Sequence, residues 1–239
     1  MITMTQNKLL YLDIEWKPAT AYVWRMWKED ISPAQLIDEG GMLCFCAHFE
    51  GEDYQFFSEW EHGRKGMAKA ALKLLTEADA VVTYNGDKYD LPKIMGEILL
   101  ADLMPPPPPT SIDVLKTVKK MGFVMNRLAY IGPLLGVGEK VKHEGFSLWK
   151  DVIAEKPSAQ KKMKKYCIQD VKMLKKLYKR ILPFIKNHPH LGESKAACGA
   201  CSSSNVHSRG YRRTKTYRIQ RMQCQDCGSW FDGKKEAIK

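Results

Sequence analysis

The chain has 239 residues, 44% of them hydrophobic, and a formal net charge of +11. That length holds one sizeable domain plus a small appendage, and the excess of cations points to a polyanionic partner. No basic stretch followed by an apolar one opens the sequence, and no apolar run reaches the roughly 18 residues of a membrane span. The expectation is therefore a cytoplasmic protein with no membrane partner, whose seven cysteines stay reduced.

In chain order, residues 8–15, 20–25 and 42–49 are rich in aliphatic and aromatic side chains and are predicted as strands. Residues 66–78 have helical spacing and lead into a short buried strand, 80–84. A helix over 91–100 ends at five prolines, 105–109, which form an extended connector. A strand at 111–114 and helices near 114–120 and 127–135 follow. The last predicted helix, 158–182, carries Met163, Cys167, Val171, Leu174, Leu177, Tyr178 and Ile181 at three- and four-residue steps. Early strands followed by alternating helices and strands predict an α/β fold, a mixed sheet flanked by helices.

Pro183, Pro189 and Gly192 close the helical pattern, and a Cys-paired, Gly/Ser-rich segment follows. Residues 193–239 contain ten Lys/Arg and four Asp/Glu, a net of +6, against +5 for residues 1–192. The predicted units are residues 1–191 and 192–239.

The chemistry begins at Asp13-Ile14-Glu15. Side chains alternate along a strand, so Asp13 and Glu15 share a face, and two adjacent carboxylates repel unless a cation neutralises them. A hard, oxygen-seeking divalent ion suits that pair, although a solvated strand end carries such residues too. Residues 85–90, Asn-Gly-Asp-Lys-Tyr-Asp, directly follow the 80–84 strand, where α/β sheets bind ligands. Asn85 to Asp87 read as turn chemistry, which leaves Asp90 as the functional candidate. In the last helix Tyr166 and Asp170 are four apart, hence stacked on one face beside apolar positions, where a carboxylate needs a partner. His143 reads as an exposed loop residue, Asp113 as a helix cap or a residue that orients a neighbour rather than a metal ligand, and one of Cys44 and Cys46 as facing the core. Lys172, Lys175, Lys176 and Lys179 form either a phosphate-steering face or a solvated one.

Asp-Ile-Glu, then Asn-x-x-x-Tyr-Asp, then Tyr-x-x-x-Asp resemble the three ordered motifs of the DEDD, or DnaQ-like, 3′→5′ exonucleases. Tyr166 is similar to the tyrosine of the DEDDy branch; the histidine branch would want His where Lys165 stands. Ser111-Ile112-Asp113 and the segment 127–140 resemble family-B-polymerase-type exonucleases, and the likeness spans about residues 8–182. It implies an RNase H-like fold and two Mg²⁺ or Mn²⁺ ions about 4 Å apart. Asp13 would bridge them, Glu15 and Asp170 would complete one, Asp90 would hold the other through water, and Tyr166 would bond the attacking water. Trp16 and Asn85 are candidate substrate contacts; for Trp16 simple packing is the alternative. DNA is the favoured substrate over RNA, and a replication or repair partner in a bacterial or phage setting fits the likeness. A catalytically inactive nucleic-acid adaptor is the alternative of another class, which the presence of all four carboxylates and Tyr166 disfavours.

At the C-terminus, Cys198-x₂-Cys201 and Cys224-x₂-Cys227, 22 residues apart, form a Cys₄ arrangement for one Zn²⁺ and resemble a zinc ribbon. So small a segment needs a metal to hold it. Between the pairs, Arg209, Arg212, Arg213, Lys215, Arg218 and Arg221 are interleaved with Tyr211 and Tyr217 and with no acid. Cations neutralise phosphates and aromatics stack on bases, so this mobile ribbon is predicted to grip nucleic acid. A solubilising strand pair or a protein-docking ribbon is the other reading.

Overall fold

The structure, a computed structural model, describes residues 8–186, 188–192 and 194–238. In chain order the larger part contains β1 (Leu9–Lys17), β2 (Thr20–Ala21), β3 (Leu36–Asp38), β4 (Gly41–Phe49), β5 (Gln55–Ser58), α1 (Glu59–Glu77), β6 (Ala80–Thr83), α2 (Asp90–Leu100), β7 (Ser111–Asp113), α3 (Val114–Val118), α4 (Leu128–Leu134), α5 (Phe146–Ile153) and α6 (Pro157–Ile181). A second sheet follows, of β8 (Val206–Arg213), β9 (Tyr217–Cys224) and β10 (Trp230–Ala237).

The main sheet has the order β5-β4-β1-β6-β7. β4 runs antiparallel to β1 and β5, whereas β1, β6 and β7 are parallel. This is the mixed α/β sheet that the pattern predicts. β1 is central because its apolar run serves both faces. Leu10, Leu12 and Ile14 pack into the layer of α1 and α2, while Tyr11 packs into the layer of α3 to α6. Strand alternation therefore hands the next two positions on the Tyr11 face, Asp13 and Glu15, to the α6 side.

α6 covers that face. Pro157 starts it, where its missing N–H costs nothing, and a stripe from Ala159 to Ile181 is buried. Asp170 lies inside that stripe, so its burial follows from the same periodicity that buries Val171 and Leu174. Lys175 and Lys179 from its flank reach Glu50, and the Lys172 ammonium sits over the Tyr54 ring, so three of the four flank lysines are engaged with the sheet edge.

Three expectations need correction. Residues 20–25 are not a strand: only Thr20 and Ala21 pair, with β3, and the following residues form an irregular exposed arm, because no neighbouring layer covers them. Cys44 and Cys46 are both buried, since residues two apart on a strand share a face and that face lies under α6. The Cys-rich segment is not detached. Ala200 and Cys227 pack against the cluster at the end of α6, and the Ser229 hydroxyl donates to the Leu182 carbonyl at 3.4 Å.

Candidate active site and candidate metal centre

Each carboxylate arrives at the site for a local reason. Asp13 and Glu15 are placed by strand alternation, and the β1–β4 register shifts between Glu15 and Trp16, a bulge at the end of the pair. Asp90 is at the start of α2, where an acid suits the helix dipole, and its carboxylate accepts the Ile14 N–H at 3.1 Å. That bond ties the second motif to the first. Asn85, in the turn after β6, has a left-handed backbone (φ 73°), and its N–H donates to Asp113 at 2.8 Å. Asp113 also accepts the Leu115 N–H and so caps α3, the role the sequence predicts.

Carboxylate oxygens of Asp13, Glu15 and Asp170 all lie within 4.8 Å of one another. Asp13 and Glu15 are half-buried, Asp90 and Asp170 buried. Burial, with the carboxylates of Asp170, Asp90 and Glu15 behind it, holds Asp13 well above the usual carboxylate range. Glu15 is pushed up to about 8 by burial and then by Asp170. Asp90 is pushed up to about 6 by burial, against the Ile14 amide, which lowers it. Burial raises Asp170 as well, although Lys140 and the Tyr166 hydroxyl pull it down.

Lys140 is the residue that sequence reasoning missed. Its ammonium donates to Asp170 at 2.5 Å and to the Tyr166 hydroxyl at 3.1 Å. It sits in the segment between α4 and α5, which Gln169 on α6 anchors by donating to the Glu139 carbonyl at 3.0 Å. Nothing in spacing separates Lys140 from its neighbour Lys142; only the fold brings one of them in. His143 is also not a bare loop residue. It is half-buried, with its ring edge-on to Tyr166 at 5.0 Å and to Trp149 at 5.4 Å, so three rings wall one side of the site. Trp16 packs against the cluster of α1 and α2, with the Lys93 ammonium 3.5 Å from its ring centroid, so the packing alternative holds for it.

The donor set fits hard divalent ions. All its donors are carboxylate oxygens, they repel one another, and Asp170 Oδ1 is buried without a hydrogen-bond partner. An oxygen of that kind, in a cluster where one lysine is the nearby countercharge, calls for a cation.

In the second sheet the sulfurs of Cys198, Cys201, Cys224 and Cys227 lie within 4.8 Å of one another. Cys198 Sγ is 3.6 Å from Cys227 Sγ, and Cys201 Sγ is 3.6 Å from Cys224 Sγ. Four convergent sulfurs suit one tetrahedral Zn²⁺. Gly228, at φ 76°, gives the second knuckle its left-handed turn against Pro183. The cations predicted to grip nucleic acid divide. Arg212 forms a forked pair with Asp232, and Arg209 bonds Gln223 and Gln225. Arg218 covers Tyr211 at 3.6 Å, and Arg221 covers Trp230 at 5.0 Å. Tyr217 is covered by Lys235 at 3.8 Å. Arg213 and Lys215 are exposed at the turn between β8 and β9.

A family model described as RNase H superfamily matches residues 38–182. The chain belongs to the RNase H superfamily. The matched span holds Asp90, Lys140, Tyr166 and Asp170, and β1 with Asp13 and Glu15 lies before it. The fold is similar to part of the family B DNA polymerase from the hyperthermophilic archaeon Pyrobaculum calidifontis, with a TM-score of 0.58 and 14% identity. That match covers 75% of this chain and 25% of the polymerase, so the chain spans about a quarter of its length. No curated protein matches the chain in sequence. Superfamily membership and the carboxylate cluster together support a nuclease-type function. Among the described residues no helix is long and apolar enough to cross a membrane.

Proposed function

We propose that the chain is a metal-dependent 3′→5′ exonuclease acting on DNA, with residues 1–191 as the catalytic unit and residues 192–239 as a zinc ribbon that holds the nucleic acid. The observation that carries this reading is the convergence of Asp13, Glu15 and Asp170 within 4.8 Å, from a strand and a helix far apart in sequence. Asp90, bonded to the backbone between the first two, supplies the fourth carboxylate.

Two divalent ions, Mg²⁺ or Mn²⁺, held by these four carboxylates would supply an activated water and neutralise the phosphate charge. The chain's own residues do the rest. Tyr166, buried and walled by His143 and Trp149, presents a fixed hydroxyl that orients the attacking water by hydrogen bonding. Lys140 holds Asp170 and Tyr166 in one arrangement and brings a positive charge to where a phosphate would sit. The ribbon's Arg213 and Lys215, with Arg209, Arg218 and Arg221 behind them, supply cations for the backbone of a longer strand.

The experiment is direct. Asp13→Ala and Asp170→Ala should each abolish Mn²⁺-dependent release of nucleotides from a single-stranded oligonucleotide, while the melting temperature of the metal-free Asp13→Ala protein stays level or rises. EDTA should stop the wild-type reaction. Folded variants that keep the wild-type rate would exclude the carboxylate cluster as the reaction centre.

A further inference from the structure

Beyond Lys17 and Gly41, the last pair of the β1–β4 ladder, the same two chain segments meet again as β2 and β3. Between them residues 22–35 form an arm that leaves the sheet at the end of β1, just past the strand's two carboxylates. The turn-back is fixed by Gly40, at φ 78°, where a Cβ would collide with the Lys17 carbonyl oxygen.

The arm is irregular but built. Glu29 accepts the backbone N–H groups of Trp24 and Arg25 and the Gln35 side-chain amide, at 3.2, 2.8 and 3.1 Å. Gln35 also donates to the Tyr22 carbonyl and accepts the Ser32 N–H, both at 2.9 Å. Arg25 reaches across the tip to the Lys28 carbonyl at 3.1 Å. These bonds hold the backbone of the tip while its large side chains stand in solvent: Trp24 is 95% exposed, Met26 85% and Trp27 80%.

The other tryptophans all have company. Trp16 lies under Lys93, Trp60 against Phe56, Trp149 against His143 and Tyr166, and Trp230 under Arg221. The ribbon tyrosines are likewise capped by Arg218 and Lys235. Trp24 and Trp27 are, among the described residues, the two tryptophans with no ring or cation on either face. They alternate with cations in the run Trp24-Arg25-Met26-Trp27-Lys28, and Glu29 and Asp38, two of the nearby acids, are already engaged by Trp24, Arg25, Gly40 and Lys17. Bare aromatic faces beside cations suit unstacked bases on a phosphate backbone.

We infer that the arm is a second nucleic-acid contact of the exonuclease, in which Trp24 and Trp27 stack on bases of a single strand whose end lies at the carboxylates. The inference rests on the exonuclease reading only for the strand's other end. Trp24 lies nine positions after Glu15, which sets their separation at no more than about 30 Å of extended chain. Stacked nucleotides rise roughly 3.4 Å each, so a strand of about nine covers even that longest span, and a 12-mer can touch the arm with its end at the carboxylates.

The test uses the full chain. Binding of fluorescein-labelled single-stranded 12-mer and trinucleotide is measured by anisotropy in Ca²⁺, for the wild type, Trp24→Ala/Trp27→Ala and Trp24→Phe/Trp27→Phe. Hydrolysis of both oligonucleotides in Mn²⁺ is followed in parallel. The Ala pair should weaken 12-mer binding by about tenfold or more, the Phe pair should restore most of it, and trinucleotide binding and turnover should change less than 12-mer binding. Because the side chains are exposed, all three proteins should melt alike. Equal 12-mer affinity in the wild type and the Ala pair would overturn the inference. A wild-type dimer in sedimentation that the Ala pair dissociates, with 12-mer affinity unchanged, would assign the arm to a second copy instead. A wild type that binds the 12-mer through the arm yet hydrolyses neither substrate would refute the exonuclease reading and leave the arm's contact standing.

Discussion

The carboxylates of the site hold protons more tightly in the folded chain than in the unfolded one. Unfolded Asp and Glu titrate near 4, whereas folded Glu15 is pushed up to about 8 and Asp90 to about 6. Between those values the native state binds more protons than the unfolded state, so stability falls as pH rises. The metal-free protein should therefore lose melting temperature steadily from about pH 5 to pH 8, and Asp13→Asn should flatten that slope. Added Mn²⁺ should raise the melting temperature more at pH 8 than at pH 5, because the ion competes with those protons. A flat metal-free profile would remove the repulsion argument. Tyr166→Phe keeps the buried ring but deletes the hydroxyl. Its kcat should fall roughly ten- to a thousandfold with KM little changed, the scale of one positioned polar group. A raised KM with unchanged kcat would make Tyr166 a substrate contact. Lys140→Ala leaves buried Asp170 without its cation, so the metal-free variant should be destabilised on the order of 1–3 kcal/mol, with part of the loss recovered on adding Mn²⁺.

Elements that bury a long stripe or alternate cleanly were legible. β1, β4, β6 and α6 fall where period and composition place them, and they carry Asp13, Glu15, Tyr166 and Asp170 to one place. What escaped was short or depended on partners. α5 has two buried anchors, Leu148 and Val152, too few for a periodic signal, and β5 is four residues long. α1 begins at Glu59, well before residue 66, because Gly63 (φ 65°) breaks its first turns away from the amphipathic body. The arm reads as a strand because aromatic and β-branched residues favour strands, yet β propensity reflects packing on a neighbour and the arm has none. Lys140 was invisible for a different reason: its role comes from a contact 30 residues distant, with no local pattern to announce it. His143 likewise gains its place from rings on α5 and α6.

For the molecule as a whole, the knuckles' contacts with α6 couple the two parts. Chelating a metal held by the four cysteines, or Cys201→Ser, should lower the melting temperature of the entire chain, since the main core cluster loses the cover of Ala200 and Cys227 and Leu182 loses the Ser229 hydroxyl. A separate, lower transition for the ribbon with the main one unmoved would show the parts to be independent. Truncation after Leu191 should spare turnover of a saturating short oligonucleotide. It should also flatten the dependence of log affinity on log salt for a long one, by up to about four to five with all six hairpin cations engaged. The pairing of Arg212 with Asp232 argues for a smaller change. The most direct test of the central claim is the polarity of cleavage. A single-stranded DNA labelled at its 5′ end, incubated with the full chain and Mn²⁺, should shorten one nucleotide at a time into a descending ladder. The same strand labelled at its 3′ end should release its label as a mononucleotide from the first time point, and Asp13→Ala should do neither. Internal fragments of the 5′-labelled strand at early times, or a label released first from the 5′ end, would contradict the account.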